Sequence, residues 1–138
     1  MKEENKELLL KDFCGRLPYK LKVKITPINT KIVPFDAKII EINTNGIVGT
    51  VNNNNIYCRH DVDEVKPYLF PLSSMTKEQK DEIDKFFKSI EGQLVGKMGR
   101  NVYLIDFFYK NRLDFRGLIK EGLAIDATGL NIYKEETK

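Results

Sequence analysis

Polar and apolar residues alternate without exception over residues 20–25. Lys20, Lys22 and Lys24 fall on one face, and Leu21, Val23 and Ile25 on the other. A period of two is that of a strand with one buried face, and the lysines suit an exposed or edge position. Upstream, NKELLLKDFCGRL (residues 5–17) spaces Leu9, Leu10, Phe13 and Leu17 as one helical stripe, with Asn5 a candidate N-cap and Gly15 and Pro18 the stop. Downstream, Pro27 and Pro34 bracket an irregular connection, followed by short β-rich runs at 37–43, 47–51, 56–60 and 66–70. Thr44-Asn45-Gly46 predicts a hairpin between the first two of these. Asn52 to Asn55 predicts a second turn whose side chains cap their own backbone. Pro67 and Pro71 each hold the residue before them extended. Five short strands between 19 and 72 predict a small SH3-like barrel, with a curled antiparallel sheet as the alternative.

The second half changes period. Thr76 and Gln79 have capping-box spacing, and Glu78, Asp81 and Glu82 give the first turns the sign that the helix dipole favours. Ile83, Phe86, Phe87 and Ile90 form the apolar stripe. Gly92, Gly96 and Gly99 predict a flexible or hairpin-like break. Residues 101–110 suit helix or strand; helix is preferred because Asn101 can cap it and aromatic residues repeat at i, i+4. FRGLIKEGL reads as a last short helix stopped at Gly122, and residues 126–138 as an extended tail with a frayed end. The expected fold class is α+β in a single domain: a helix over 5–17, a barrel over 19–72, helices over 76–125, and the tail.

The composition of the 138 residues, 41% hydrophobic and 31% charged, is that of a globular chain and not of a disordered one. No apolar run reaches the roughly 18–20 residues of a membrane span. MKEENKELLL mixes acids with lysines, unlike a signal peptide. Two cysteines cannot build a disulfide scaffold, so the expected setting is reducing and cytoplasmic, without membrane association. The net charge of +3 divides almost evenly between the two halves and by itself selects no partner.

Three stretches stand out together: LLLKDFCGRLPYKLKVKI, VKPYLFPLSSMTKEQ and LDFRGLIKEGLAIDATGLNIY. As a set the chain resembles a family of small hypothetical proteins from gut anaerobic bacteria and their phages and prophages. The resemblance covers about half of the residues and implies a compact single domain of cytoplasmic or phage-encoded origin. It implies no activity, cofactor or catalytic residue. It leads one to expect glycine where Lys20 stands and arginine where Phe70 stands.

Cys58-Arg59-His60-Asp61 is the most reactive-looking run. Cys58 and His60 share a strand face, which suits a thiolate nucleophile, but two cysteines and one histidine are too few for a four-ligand zinc site. The plainer expectation is Cys58 packed in the barrel and His60 at the surface or in a turn. Lys20, Lys22 and Lys24, with Tyr19 and Tyr57, suggest a basic-aromatic strip for single-stranded nucleic acid; solvated lysines guarding an edge are the plainer alternative. The carboxylates at Asp61/Asp63/Glu64 and Asp81/Glu82/Asp84 fall in a turn and on a solvent face, and no phosphate-cradling glycine motif occurs. Around Asp114, the residues Phe115 and Arg116 fit either an Arg–Asp clamp on the terminal helix or, together with Phe70, an interface. The leading expectation is a non-enzymatic accessory protein of phage or mobile-element origin that contacts a host or phage protein without cofactor or metal. A nucleic-acid-binding module is the alternative, and an enzyme using Cys58 and His60 the third. Oligomeric state is left open.

Overall fold

A first helix, α1 (Glu3–Arg16), carries Glu3 and Glu4 in its opening turn and Arg16 in its last, charges placed to complement the helix dipole. It starts after Lys2, so Asn5 is helical and caps nothing. Gly15 does not stop it either. A Cβ at Gly15 would lie 2.2 Å from Cζ of Tyr109, so the glycine is there for close helix–helix approach. Leu9 and Phe13, both fully buried, point into the core. The computed structural model describes residues 2–28, 30–91 and 96–133.

After a single 3-10 turn (Leu17–Tyr19), five strands follow: β1 (Lys22–Ile25), β2 (Phe35–Ile42), β3 (Ile47–Asn52), β4 (Tyr57–Asp61) and β5 (Val65–Pro71). Two two-residue strands, β6 (Leu113–Asp114) and β7 (Ile125–Asp126), come from the C-terminal part. Together they form a seven-stranded open sheet in the order β4-β3-β2-β1-β5-β6, with β7 also paired to β5. All pairings are antiparallel except those of β6 and β7 with β5. The sheet therefore has seven strands where five were expected, and the molecule is α+β.

Both hairpins use one device. Asn43 Oδ1 accepts from the amides of Asn45 (2.9 Å) and Ile47 (3.1 Å), and Asn52 Oδ1 accepts from those of Asn54 (2.9 Å) and Ile56 (3.1 Å). In each loop a single residue takes positive φ: Gly46 at 82° in the first and Asn55 at 61° in the second. The three-residue loop with one left-handed residue, rather than a two-residue Asn-Gly turn, closes each hairpin.

One sheet face and α1 enclose the main core: Leu9, Phe13, Leu21, Val23, Ile25, Ile39, Val48, Val65 and Leu69, with Leu118 and Leu123 from the C-terminal segment. A second, smaller cluster of Tyr68, Ala127 and Tyr133 holds the chain end against β5. The described part of the expected tail, residues 126–133, is thus docked through Tyr133, which is 5% exposed. Residues 134–138, where fraying was expected, lie outside the described residues.

Two helices intervene between β5 and β6. For α2 (Lys77–Ser89) the capping box forms as expected, with Gln79 N donating to Thr76 Oγ1 (3.1 Å) and Thr76 N donating to Gln79 Oε1 (2.9 Å). α3 (Gly96–Lys110) is a helix, as preferred, but begins five residues before 101, so Gly96 and Gly99 are helical and Asn101 is no cap. Gly92 lies outside the described residues. Phe86 of α2 stacks on Tyr103 of α3 at 3.8 Å. The last short helix expected over 115–123 is instead a run of turns. Asp114 explains this, because its carboxylate accepts from the amides of Leu118 (2.8 Å) and Ile119 (2.9 Å), and Gly117 and Gly122 take positive φ.

Candidate functional site

Val23 and Ile25 are buried in the core, so alternation turns Lys22 and Lys24 to the opposite, outer face of the sheet. β1 is not an edge strand. It lies between β2 and β5, so its lysines guard no edge. The register supplies two further lysines that reading β1 alone missed. Lys38 stands directly opposite Lys22, and Lys66 directly opposite Lys24, which has Asp36 on its other side. Lys20 departs from the strip: it precedes the strand, with a left-handed backbone (φ 56°). That is the conformation glycine, expected at this position, adopts freely.

Lys20, Lys22 and Lys38 line a cleft of about 650 Å³ beside the β3–β4 hairpin. Asn53 and Asn55 enter it from that hairpin, and Asn131 and Ile132 from the chain end. Lys22 Nζ donates to the Ile132 carbonyl at 2.7 Å and lies 5.9 Å from the centre of the Tyr133 ring. The Tyr133 hydroxyl donates to the Tyr68 carbonyl (2.8 Å) and accepts from the Lys22 amide (3.0 Å). Tyr68 donates to Asp36 at 2.6 Å. Burial and this carboxylate push the Tyr68 phenol well above its usual range. Lys24 does not line the cleft, and Tyr19 contributes its hydroxyl elsewhere, to Asp106 at 3.2 Å. Tyr57 lies on the outer face, 43% exposed, where its hydroxyl meets Glu41 (3.1 Å) and Arg59 (3.0 Å).

The other candidates go elsewhere. Arg116 is in a clamp, but its acid is Asp12 of α1 (3.1 Å) and not Asp114, and it also donates to the Tyr109 hydroxyl at 2.7 Å. Asp12, fully buried, takes Arg16 as well (2.7 Å), and Arg16 donates to the Leu113 carbonyl at 2.7 Å. Phe115 lies under both guanidinium groups, 4.7 Å from Arg116 and 5.7 Å from Arg16. Phe115 and Arg116 thus serve internal packing. Phe70 is apart from them, 6.0 Å from Tyr133, in a second cleft that shares Asn131 with the first.

Cys58 is exposed and not packed in the sheet, because β4 is the edge strand at the far end from β5. His60 is half-buried, edge-on to Phe35 at 5.9 Å, and its buried Nε2 has no hydrogen-bond partner among the described residues. Burial lowers its pKa, opposed by the Glu64 charge. Among the described residues no three His, Cys, Asp or Glu side chains group to hold a metal, and no helix is long and apolar enough to cross a membrane. Asp63 reaches Lys6 at 3.9 Å, and Asp81, Glu82 and Asp84 lie exposed on α2. No protein-family model, curated protein or solved structure matches the chain. The site is therefore read from its geometry and chemistry.

Proposed function

We propose that this protein is a non-enzymatic binding domain whose basic outer sheet face takes a single-stranded nucleic acid. The observation that carries the reading is the pair of like-charge rungs, Lys22 opposite Lys38 and Lys24 opposite Lys66. Like charges directly opposite destabilise a sheet, and although Lys22 holds the Ile132 carbonyl and Lys24 has Asp36 on its other side, the two rungs still concentrate positive charge on one face. A phosphate backbone laid across the strands offsets that repulsion, and exposed Tyr57 on the same face offers a ring on which a base can stack. The barrel is part of the same proposal. The meander order β4-β3-β2-β1-β5, the 3-10 turn Val62–Glu64 between β4 and β5, and a β2 register shift between Ile39 and Glu41 support an SH3-like arrangement. The Phe35–His60 ring contact joins residues from opposite ends of the β2–β3–β4 ladder, which a flat sheet would hold apart.

The test is the salt dependence of binding to a fluorescent single-stranded oligonucleotide. Four phosphate contacts give log K against log salt a slope of about −2.8, at about −0.7 per contact for single strands. Reversing Lys24 and Lys66 to Glu is expected to halve that slope. Affinity that does not change with salt contradicts the reading.

A protein partner is the second reading, favoured by α3. Met98, Val102 and Ile105 recur at i, i+4, i+7 and are 80%, 64% and 43% exposed, an exposed apolar stripe. Val102→Lys is expected to abolish any self-association or partner capture and to leave oligonucleotide binding unaltered.

A further inference from the structure

Among the described residues, four that are not glycine have positive φ: Lys20 (56°), Asn55 (61°), Arg112 (55°) and Asn131 (56°). Three of these, Lys20, Asn55 and Asn131, line one cleft, although they come from the turn after α1, the β3–β4 hairpin and the chain end. A left-handed backbone is a conformation that glycine takes at no steric cost and that a lysine takes only at some expense. Asparagine takes it readily in turns, as Asn55 does in closing its hairpin, so the strained position is Lys20, where a side chain stands at a backbone suited to glycine. Here the side chains have complementary chemistry. Lys20, Lys22 and Lys38 bring ammonium groups, each a compact charge suited to phosphate. Asn53, Asn55 and Asn131 bring carboxamides, which donate and accept together as the edge of a base requires. The carboxylate of Asp36, at the same cleft, is engaged by the Tyr68 hydroxyl at 2.6 Å. The volume, about 650 Å³, is in the range of small-molecule sites.

We infer that this cleft holds one nucleotide of the bound strand and gives the protein a base preference. Lys20 and Lys38 flank its phosphate, and Asn55 and Asn131 read the edge of its base. This rests on the strand-binding reading above and adds selectivity to it. Lys24 and Lys66, outside the cleft, hold the rest of the strand without regard to sequence.

Glycine is the substitution that separates function from folding here. Asn55→Gly and Asn131→Gly accept the same left-handed backbone and delete the side chain with its carboxamide, so both variants are expected to fold with an unchanged or higher melting temperature. Binding is measured at one salt concentration for the four homopolymeric oligonucleotides and for an abasic strand of equal length. The unaltered protein is expected to prefer one homopolymer over the abasic strand by about tenfold, what one good amide–base contact supplies. The Asn55→Gly/Asn131→Gly protein is expected to bind all five strands with the affinity of the abasic one. Lys20→Gly is expected to weaken all five alike and to flatten the salt slope by about 0.7. Equal binding of the five strands by the unaltered protein overturns the nucleotide cleft and leaves the basic face standing. So does a preference that survives in the double variant. Absence of binding to every strand at low salt overturns both.

Discussion

Between α1, α3 and the turns after β6, Asp12 is buried with a guanidinium group on each oxygen: Arg16 at 2.7 Å and Arg116 at 3.1 Å. On the outer face of β1, β2 and β5, by contrast, lysine stands opposite lysine twice. The first region has opposite charges, planar donors and aromatic rings packed around them; Arg16 lies 5.2 Å from the Tyr109 ring and Arg116 4.7 Å from Phe115. The second has flexible ammonium groups standing side by side at or near solvent, with Asp36 in register beside Lys24. The charges of the first region are matched and enclosed, whereas those of the second set like beside like near solvent, the arrangement that the proposed strand binding uses. Arg116 and Lys22 looked alike as candidate contact residues in the sequence, and this difference separates them.

The clamp breaks most severely. Asp12→Ala leaves Arg16 buried without its carboxylate, a change that costs about 3–5 kcal/mol. Urea unfolding is expected to register that loss, and the salt slope of oligonucleotide binding is expected to stay as it was. A drop of less than about 1 kcal/mol, the worth of an exposed pair, would show that the clamp is not the enclosed ion network described above. On the sheet the direction reverses. Lys66→Glu converts a like-charge rung into an opposite-charge one and is expected to raise stability by about 0.2–1 kcal/mol while weakening strand binding. Loss of stability in Lys66→Glu would mean that the rung is not repulsive.

The smallest effect is at His60. Its pKa in the folded protein is lowered, chiefly by burial, so below the ordinary histidine value of about 6.5 the unfolded chain binds the extra proton more readily. Stability is therefore full above that pH and falls as pH drops through it. Melting temperatures at pH 7.5 and pH 5.5 are expected to differ more for the unaltered protein than for His60→Gln. An equal difference would assign the pH dependence to other groups.

Periodicity made the elements legible, and pairing remained out of its reach. The alternation over 20–25, the capping box at Thr76 and the aromatic repeat in α3 each report a local period, and each corresponds to an element in the structure. That β1 is central depends on β5, some forty residues onward, joining its free edge. No local pattern carries that information. The same gap hid half of the basic face. Lys38 alternates with Ile39 in the sequence, but its place opposite Lys22 is a matter of register. Asp114 was visible as an acid near Arg116, yet it caps a turn while Arg116 crosses to Asp12. The expected helix over 115–123 failed for that reason, since two backbone amides that a helix would use internally are bound to a side chain. Cys58 was misplaced because burial on an edge strand depends on what covers it, which in this fold is little.

The central claim is that the two lysine rungs of the outer sheet face are the ligand site. Amide chemical-shift mapping of the labelled protein with a short single-stranded oligonucleotide at low salt tests it most directly. The expected result is a continuous set of shifts at Lys22, Lys24, Lys38 and Lys66, fading as salt is raised, with α3 around Val102 unmoved. Shifts confined to α3, or none at any of the four lysines, would contradict the account.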